Sequence, residues 1–220
     1  MQATAIIPVK RFGAAKSRLG EVLAAPVRSE LAAAMLADVL AALGRCERLE
    51  RLIVVSGEPA ATRAARSTGI DVLDDPDDAG HSPAAAIGVD AALAADAACV
   101  ALLPGDCPLL DAGELDQAIG ALRAPVAGVI PDRHGSGTNG LLLAPPDAIG
   151  PSFGPGSRER HLELARRSGA EPRVVELPSL ALDLDTGDDL RELDRQLAED
   201  PQLAPHTAAV LASLARSEPA

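Results

Sequence analysis

The chain has 220 residues, of which 47% are hydrophobic, so it is long enough to bury the core of one α/β domain. Its 32 acidic residues outnumber its 20 basic residues, and the formal net charge is −12. This balance argues against a nucleic-acid-binding or membrane-surface protein, because both need a basic face.

Predicted strands and helices alternate along the chain. The first strand, Ala3–Val9 ("ATAIIPV"), is a continuous apolar run, and further strands are predicted at 51–57, 71–75, 98–106, 126–132, 139–145 and 173–178. A helix is predicted from Ser29, as N-cap, to Gly44, as its C-terminal stop. Other helices are predicted to end near 69 and to span 82–96, 114–123, 157–168, 188–199 and 205–216.

Continuous apolar strands separated by helices are typical of a mostly parallel sheet that is covered on both faces. We therefore expect an α/β fold with a Rossmann-like mixed sheet, formed by a single domain over residues 1–220. Residues from about 201 to 220 are expected to add a C-terminal helical extension. The three cysteines form no C-x-x-C pair, and no apolar run approaches the roughly 20 residues that cross a bilayer. These features favour a cytoplasmic protein with reduced thiols.

The loop after the first strand, "PVKRFGAAKSRLG", concentrates positive charge in an acidic protein. It holds two arginines together with Lys10 and Lys16, the only lysines in the sequence. A lysine is a compact cation on a flexible stem, which suits it to a phosphate that moves. The Walker A pattern is missing, which argues against a P-loop NTPase. We expect the loop to hold a small anion; the alternative is a solvated charged turn.

Acidic residues mark two later segments. In "LLPGDCPLL", Asp106 follows an apolar strand, and in "ALDLDT", Asp183 and Asp185 would share one face of a strand, opposite Leu182 and Leu184. Carboxylates so close together repel one another unless a cation lies between them. Mg²⁺ prefers one or two carboxylates with waters and phosphate oxygens. The alternatives are a carboxylate that binds turn amides and an exposed edge strand with solvated acids.

Two glycine-containing loops have the character of anion cradles, "DRHGSGTNG" (132–140) and "SFGPGSRERH" (152–161). Ser157 is predicted to N-cap a helix whose free N–H groups favour a phosphate or carboxylate. Further polar groups are expected from Ser136, Thr138, Asn139, Arg158 and Arg160. An ordinary loop followed by a helix cap would also explain the second motif.

The aromatic and histidine residues give weaker signals. Phe12 and Phe153 are the only aromatic residues of the Phe, Trp and Tyr class, and they either plug two loops or shape one pocket. His161 and His206 are expected on helix surfaces, and the four histidines form no metal-binding pattern.

Taken together, these motifs resemble a known family. The strand followed by "PVKRFGAAKSRL" and "PGDCPLL" is similar to the nucleotidyltransferase class with the glycosyltransferase-A-like fold. The segments "DRHGSGTNGLLL", "FGPGSRERH" and "LDLDT" closely resemble guanylyltransferases of coenzyme F-420 biosynthesis, which act on 2-phospho-L-lactate or phosphoenolpyruvate. The resemblance covers Ala3 to about Asp194.

The resemblance implies roles for individual residues. Lys10 and Lys16 would bind the GTP phosphates and, with Asp106, form the catalytic group. The nucleotide side would further include Pro8, Val9 and Ser82. Mg²⁺ would be held by Asp106, Asp183 and Asp185. The acceptor would be bound by Thr138, Gly154 and Ser157. Ser82 lies in Gly80-His81-Ser82-Pro83, where many nucleotidyltransferases have Gly-Leu-Asn, so base recognition differs there.

The implied reaction transfers GMP from GTP to the acceptor phosphate and releases pyrophosphate. High Ala and Arg content with few lysines suggests a GC-rich genome, as in actinobacteria and related bacteria. The resembling enzymes of these bacteria use phosphoenolpyruvate, so the resemblance favours phosphoenolpyruvate over 2-phospho-L-lactate as the expected acceptor. Alternatives are a cytidylyl- or molybdopterin-type nucleotidyltransferase and a non-catalytic GTP-binding subunit. A homodimer, and transfer of the product to a downstream F-420 biosynthetic enzyme, are compatible with the sequence; nucleic-acid and membrane partners are not expected.

Overall fold

The computed structural model describes residues 2–12, 19–20 and 23–217. Lys16 and Arg18 of the basic loop lie outside these residues. The strands are β1 (Ala3–Val9), β2 (Leu49–Ser56), β3 (Asp71–Leu73), β4 (Val100–Leu102), β5 (Val126–Pro131), β6 (Thr138–Ala144) and β7 (Glu171–Val174). The helices are α1 (Ala25–Leu43), α2 (Pro59–Ser67), α3 (His81–Leu93), α4 (Ala112–Gly120), α5 (Ser157–Ser168), α6 (Gly187–Glu199) and α7 (Pro205–Ser217).

The strands form one mixed sheet in the order β3-β2-β1-β4-β6-β5-β7. Strand β6 runs antiparallel to β4 and β5, whereas every other neighbouring pair is parallel. The first residue of β6, Thr138, therefore lies at the same edge of the sheet as Val9 and Leu102, where β1 and β4 end. We call this the carboxyl edge. The predicted mostly parallel sheet with one or more reversed strands is confirmed.

Both faces of the sheet are covered by helices, which explains the continuous apolar run of β1. Ile7 belongs to a core cluster that includes residues of α1, α4, α6 and α7. Its neighbour Ile6 belongs to a second cluster with residues of α3 and α5. Both side chains are fully buried. Because alternate residues of a strand point to opposite faces, a strand covered on both sides must be apolar throughout.

Several predicted boundaries differ from the structure. Helix α1 begins at Ala25, not Ser29, because Pro26 in its first turn already has a backbone angle suited to a helix start. Ser29 lies inside the helix and donates its hydroxyl to the Ala25 carbonyl. Gly44 has a right-handed φ of −64° and is not a left-handed stop. Strand β4 is shorter than predicted, and residues 181–186 lie outside the sheet.

No helix in the described parts of the chain is long and apolar enough to cross a membrane. The three cysteines are buried, and none of them forms a disulfide.

Helix α7 is fastened to α1 by a buried carboxylate. Asp38 of α1 is 5% exposed and accepts hydrogen bonds from the N–H groups of His206 and Thr207, at 3.1 and 2.8 Å. The Thr207 hydroxyl donates a third bond to it, at 2.7 Å. Asp38 therefore caps the first turn of α7 from another helix, which satisfies N–H groups that have no partner within α7 itself.

We expect Asp38→Ala to lower the free energy of unfolding by about 2–4 kcal/mol, because it removes a cap and leaves buried donors without an acceptor. Urea unfolding followed by far-ultraviolet circular dichroism measures the change, since the sequence has no Trp or Tyr to report by fluorescence. Glu30→Ala, at an exposed position of the same helix, is the matched control and should change the value by less than about 0.5 kcal/mol. Equal effects of the two substitutions would contradict the capping role.

Candidate functional site

Two adjoining cavities lie at the carboxyl edge of the sheet. The first has a volume of about 280 Å³ and is lined by Pro8, Val9, Lys10, Phe12, Ala32, His81, Pro104, Gly105, Asp106 and Asp185. The second, of about 380 Å³, is lined by His81, Pro104, Asp106, Asp132, Ser136, Gly137, Thr138, Asn139, Phe153, Gly154, Pro155, Gly156, Ser157, Asp183 and Asp185. Four residues line both cavities, namely His81, Pro104, Asp106 and Asp185. Most of the predicted site residues therefore lie around one continuous cleft.

The end of β1 is anchored on both sides of Lys10. The Ser56 hydroxyl donates to the Val9 carbonyl at 2.7 Å, and the Glu58 carboxylate accepts the Phe12 N–H at 2.9 Å. Glu58 also caps α2 by accepting the Ala60 N–H. The exposed Lys10 side chain lines the first cavity from this braced segment. Its predicted companion Lys16 lies outside the described residues.

The two phenylalanines line different halves of the cleft. Phe12 is buried in the larger core cluster and lines the first cavity. Phe153 packs against the other cluster and lines the second. Its ring meets those of His81 and His161 edge-on, with centroids 4.6 and 5.3 Å away.

Ser82, in the first turn of α3, contacts the loop that lines the second cavity. Its hydroxyl oxygen accepts the Phe153 N–H at 2.8 Å, in the loop that lines the second cavity. It is not among the described residues that line the first cavity. The nucleotide-binding role of Ser82 stays a prediction.

Asp106, Asp183 and Asp185 line the cleft, and two of them, Asp106 and Asp185, line both cavities. Asp183 and Asp185 lie in an extended segment outside the sheet, so the predicted strand is wrong there. The expected alternation nevertheless holds, because Leu182 and Leu184 are buried. The Leu184 N–H donates to the Asp106 backbone carbonyl at 3.4 Å, which joins this segment to the turn after β4.

The donor set of this wall suits a hard divalent cation. Carboxylate oxygens are the ligands that Mg²⁺ prefers, and Mg²⁺ commonly completes its coordination with waters and substrate phosphates. Within the described residues, no three His, Cys, Asp or Glu side chains are arranged to hold a metal ion by themselves. A cation at this wall would need further oxygen ligands, from a substrate phosphate or from water, in addition to the carboxylates.

A buried carboxylate that the sequence analysis missed supports the acidic segment. Asp189 accepts the N–H groups of Asp185 and Thr186, at 3.1 and 2.7 Å, and pairs with Arg133 at 2.6 Å. Asp189 is 4% exposed, so these contacts form away from solvent. The signal was present in the sequence: Thr186 and Asp189 have the spacing of a capping box, which the structure contains.

Asn139 has a different role from the predicted one. Its amide nitrogen donates to the carbonyls of Leu180 and Ala181, at 2.9 and 3.2 Å, and approaches Asp183 Oδ1 at 3.4 Å. The side chain is therefore used to hold the start of the acidic segment beside β6. A short-range sequence pattern could not have found this contact, because its partners are more than 40 positions away.

The loop between β5 and β6 is folded around Asp132. Its carboxylate accepts the N–H groups of Ser136 and Gly137, both at 3.0 Å. A Cβ atom at Gly137 would collide with the Asp132 carboxylate, so a larger residue there would displace the side chain that folds this loop. In the facing loop, Gly154 has φ +112°, a conformation that side chains rarely adopt.

The start of α5 also differs from the prediction. Gly156, in the left-handed conformation, occupies the N-cap position, and Ser157 is the first helical residue. The N–H groups of Ser157 and Arg158 donate to the carbonyls of Gly154 and Ser136, so they are not free for a ligand. Ser157 lines the second cavity, and its hydroxyl oxygen is buried and has no hydrogen-bond partner among the residues described.

The two arginines of this segment brace the loops. Arg158 donates to the Gly135 carbonyl at 3.0 Å. Arg160 donates to the Ser152 and Pro155 carbonyls, at 2.7 and 3.0 Å. The predicted charge-assisted bonds to a ligand are therefore replaced by bonds to loop carbonyls.

His161 was expected on a helix surface, but it is fully buried. Its Nε2 accepts the Ser152 N–H at 2.9 Å, and its Nδ1 lies 3.0 Å from Thr138 Oγ1. Burial, and to a lesser degree the Arg160 cation, lowers the pKa of the ring from 6.5 to about 4. The sequence signal was its spacing from Ala165, which places both on one face of α5. His206 is exposed, as predicted.

The lowered pKa of His161 predicts an acid-sensitive fold. Between pH 6.5 and about 4 the unfolded chain binds a proton that the folded ring does not, so stability falls as the pH falls through this window. The loss should approach about 3 kcal/mol. Urea unfolding at pH 7 and pH 4.5 measures it, with His161→Gln losing less on acidification than the wild type. His206→Gln, at the exposed histidine, should behave as the wild type; equal acid sensitivity of all three would contradict the assignment.

Comparison with known proteins places this cleft in context. The family model described as "Guanylyl transferase CofC like" matches residues 3–195. A phosphoenolpyruvate guanylyltransferase from Conexibacter woesei is 44% identical over 221 residues, which cover 100% of this chain and 99% of that protein.

Solved structures share the fold at low sequence identity. A nucleotidyl transferase from Methanothermobacter has a TM-score of 0.67 and 15% identity, with 90% of this chain and 98% of that chain covered. A Mycobacterium tuberculosis protein, solved in complex with manganese, has a TM-score of 0.53 and 22% identity, with 88% and 98% covered. The sheet described above is therefore the nucleotidyltransferase fold of the glycosyltransferase-A type.

Proposed function

The chain belongs to the CofC-like guanylyltransferase family, and from this premise we propose that it transfers GMP from GTP to the phosphate of phosphoenolpyruvate. The observation that carries the proposal is the pair of adjoining cavities whose common wall contains Asp106 and Asp185. A transferase that joins two anions needs a separate place for each and a common wall where their reacting groups meet. The role in coenzyme F-420 biosynthesis follows from the family resemblance.

We assign the first cavity to GTP. The backbone of Pro8 and Val9 borders it, and Lys10 lies at its rim with a side chain long enough to follow the phosphates. Lys16 is proposed to act with Lys10, because both belong to the same loop in an otherwise lysine-free chain. Ser82 is assigned to the nucleotide side on the family resemblance alone.

We assign the second cavity to the acceptor. Thr138 and Ser157 offer hydroxyl groups to it, and Gly154 lets the backbone approach closely. The partnerless buried hydroxyl of Ser157 supports this assignment, because a buried polar group without a partner is costly unless a ligand supplies one. A phosphorylated three-carbon acid presents phosphate and carboxylate oxygens that accept such bonds.

A divalent cation, with Mg²⁺ as the proposed ion, would be held by Asp106, Asp183 and Asp185. When bound, it supplies positive charge that neutralises the phosphates and withdraws electrons from the α-phosphorus. The three carboxylates line the second cavity, and two of them also line the first. They are thus placed where an ion could contact both substrates.

The residues of the cleft bind and align the reactants. An acceptor phosphate has a second pKa of about 6, so near pH 7 it is already largely dianionic and needs no general base. One of its oxygens forms a bond to the α-phosphorus of GTP, while the bond from that phosphorus to the bridging oxygen breaks and pyrophosphate leaves. Lys10 and Lys16 would stabilise the leaving phosphates. Positioning and charge neutralisation therefore supply the rate enhancement.

Phosphoenolpyruvate is preferred to 2-phospho-L-lactate as the proposed acceptor because the relative from Conexibacter woesei carries that name and covers the whole chain. The two acceptors differ in one carbon–carbon unsaturation. The cytidylyl- and molybdopterin-type alternatives are disfavoured by the family match. The homodimer and the transfer of product to a downstream enzyme stay predictions.

The proposed reaction predicts pyrophosphate release when the protein is mixed with GTP, Mg²⁺ and phosphoenolpyruvate. The rate should be much lower with 2-phospho-L-lactate, CTP or ATP, and should vanish on chelation of the divalent ion. Asp106→Asn should lower kcat at least about 1,000-fold with an unchanged unfolding midpoint. Asp90→Asn, at an exposed position of α3, is the control and should retain wild-type activity. Near-normal turnover of Asp106→Asn would remove Asp106 from the metal site.

The assignment of Lys10 predicts a selective effect on the nucleotide. Lys10→Met should raise the KM for GTP about ten-fold or more, because a hydrogen-bonded charge pair is lost, and should leave the KM for the acceptor nearly unchanged. Arg63→Met, which removes an exposed cation from α2, is the matched control. Steady-state pyrophosphate release with each substrate varied in turn measures both constants. An effect on the acceptor alone would place Lys10 on the wrong side of the cleft.

A further inference from the structure

The buried ring of His161 has only one tautomer that satisfies its contacts. A backbone N–H can only donate, so the bond from Ser152 at 2.9 Å requires an unprotonated Nε2. A neutral imidazole with a bare Nε2 carries its hydrogen on Nδ1. The Nδ1–H then points at Thr138 Oγ1, 3.0 Å away, and donates to it. The chain of bonds thus has a fixed direction, from Ser152 through the ring to Thr138.

From this direction we infer that His161 is a positioning residue that turns the hydroxyl hydrogen of Thr138 towards the acceptor phosphate. The inference rests on the proposed function, because it needs the acceptor to occupy the second cavity. Thr138 Oγ1 accepts the ring hydrogen, so its own hydrogen cannot point back to the ring. Among the described residues the ring is the only hydrogen-bond partner of that hydroxyl, and Thr138 lines the second cavity. The hydrogen is therefore available to an anion in the cavity.

The surroundings of the ring prevent the alternative arrangements. Rotating the ring by half a turn would replace both bonded nitrogens by carbons and would break both bonds. Phe153 contacts the ring edge-on at 5.3 Å, and the ring is fully buried among such neighbours. Protonation of Nε2 would set two donors against each other at Ser152. Arg160 adds a nearby positive charge and fixes the Ser152 carbonyl at 2.7 Å, so the loop that supplies the N–H is itself held.

A hydroxyl oriented in this way is a better anion ligand than a free one. A threonine hydroxyl that accepts no such hydrogen bond can donate its hydrogen to another group of the protein. It must then rotate before it can donate to the ligand. Here the Thr138 O–H already points into the cavity before the substrate binds, so binding requires no such reorientation. Ser157 also lines this cavity, and its buried hydroxyl has no partner among the described residues.

Two substitutions separate this role from simple packing. In His161→Gln the side-chain amide reaches the former Nε2 position, so the Ser152 bond can be kept while the Thr138 bond is lost. In His161→Asn the amide overlaps the former Nδ1 position, so the Thr138 bond can be kept while the Ser152 bond is lost. Each variant loses one hydrogen bond, and their stabilities should fall by similar amounts. His206→Gln is the exposed-histidine control and should be indistinguishable from the wild type.

Steady-state kinetics with phosphoenolpyruvate and GTP varied in turn tests the proposal. We expect His161→Gln to raise the KM for the acceptor about ten-fold and His161→Asn to raise it less than about three-fold, with the KM for GTP unchanged in both. Thr138→Val should raise the KM for phosphoenolpyruvate by the same factor as His161→Gln. The variant that combines both substitutions should raise it no further. The proposal would be overturned if His161→Gln and His161→Asn raised the KM for phosphoenolpyruvate equally. It would also be overturned if the KM for GTP rose as much as the KM for phosphoenolpyruvate. If His161→Gln does not fold, an unchanged acceptor KM in Thr138→Val overturns it as well.

A measurement without turnover separates this proposal from the proposed function. Long-range ¹H–¹⁵N spectra at pH 7 should show His161 as the neutral tautomer protonated at Nδ1, and only four histidines contribute signals. Protonation at Nε2, or a charged ring, would refute the inference even in an active enzyme. Conversely, a wild-type protein that releases no pyrophosphate from GTP and phosphoenolpyruvate would remove the proposed function while the spectrum still reports the tautomer.

Discussion

The reversal of strand β6 is the constraint on which the cleft depends. In a wholly parallel sheet, the start of a strand lies at the edge opposite to the strand ends. Because β6 runs against β4 and β5, its first residue, Thr138, reaches the edge where β1 and β4 finish. Two kinds of loop therefore meet there: loops that leave strands and a loop that enters one. The adjoining cavities form between them, with Asp106 from the first kind and Thr138 from the second.

Arginines around the cleft stabilise loops, whereas carboxylates and small polar groups line the cavities. Arg158 and Arg160 donate to loop carbonyls, and Arg133 pairs with the buried Asp189. This arrangement fits a site that binds anions in an acidic protein. The arginines thereby fix the loops that carry the smaller polar groups of the cavities. Among the described lysine and arginine residues, only Lys10 lines either cavity.

Sequence reasoning found the strands and helices well, because an apolar sheet with helical crossovers leaves a strong periodic signal. It also found the loops that line the cavities, since glycine, carboxylate and basic residues gather after strand ends. It failed where a residue's role is set by distant partners. Asn139 and His161 were read as a ligand donor and a surface residue, yet both are buried by contacts that cross the fold. Helix α1 was misplaced because Ser29 is a good cap but Pro26 begins the helix earlier.

The cap of α7 has a consequence for the order in which the protein is made. Asp38 is synthesised early, and its partners at 206 and 207 are 168 and 169 positions later in the chain. While the ribosome is still adding the intervening residues, α1 cannot bury that carboxylate without leaving it unsatisfied. The larger core cluster, which contains α1, is therefore completed only when the last helix emerges. A chain interrupted before residue 206 therefore leaves Asp38 without the donors that it has in the folded protein, and this face of α1 stays exposed to water.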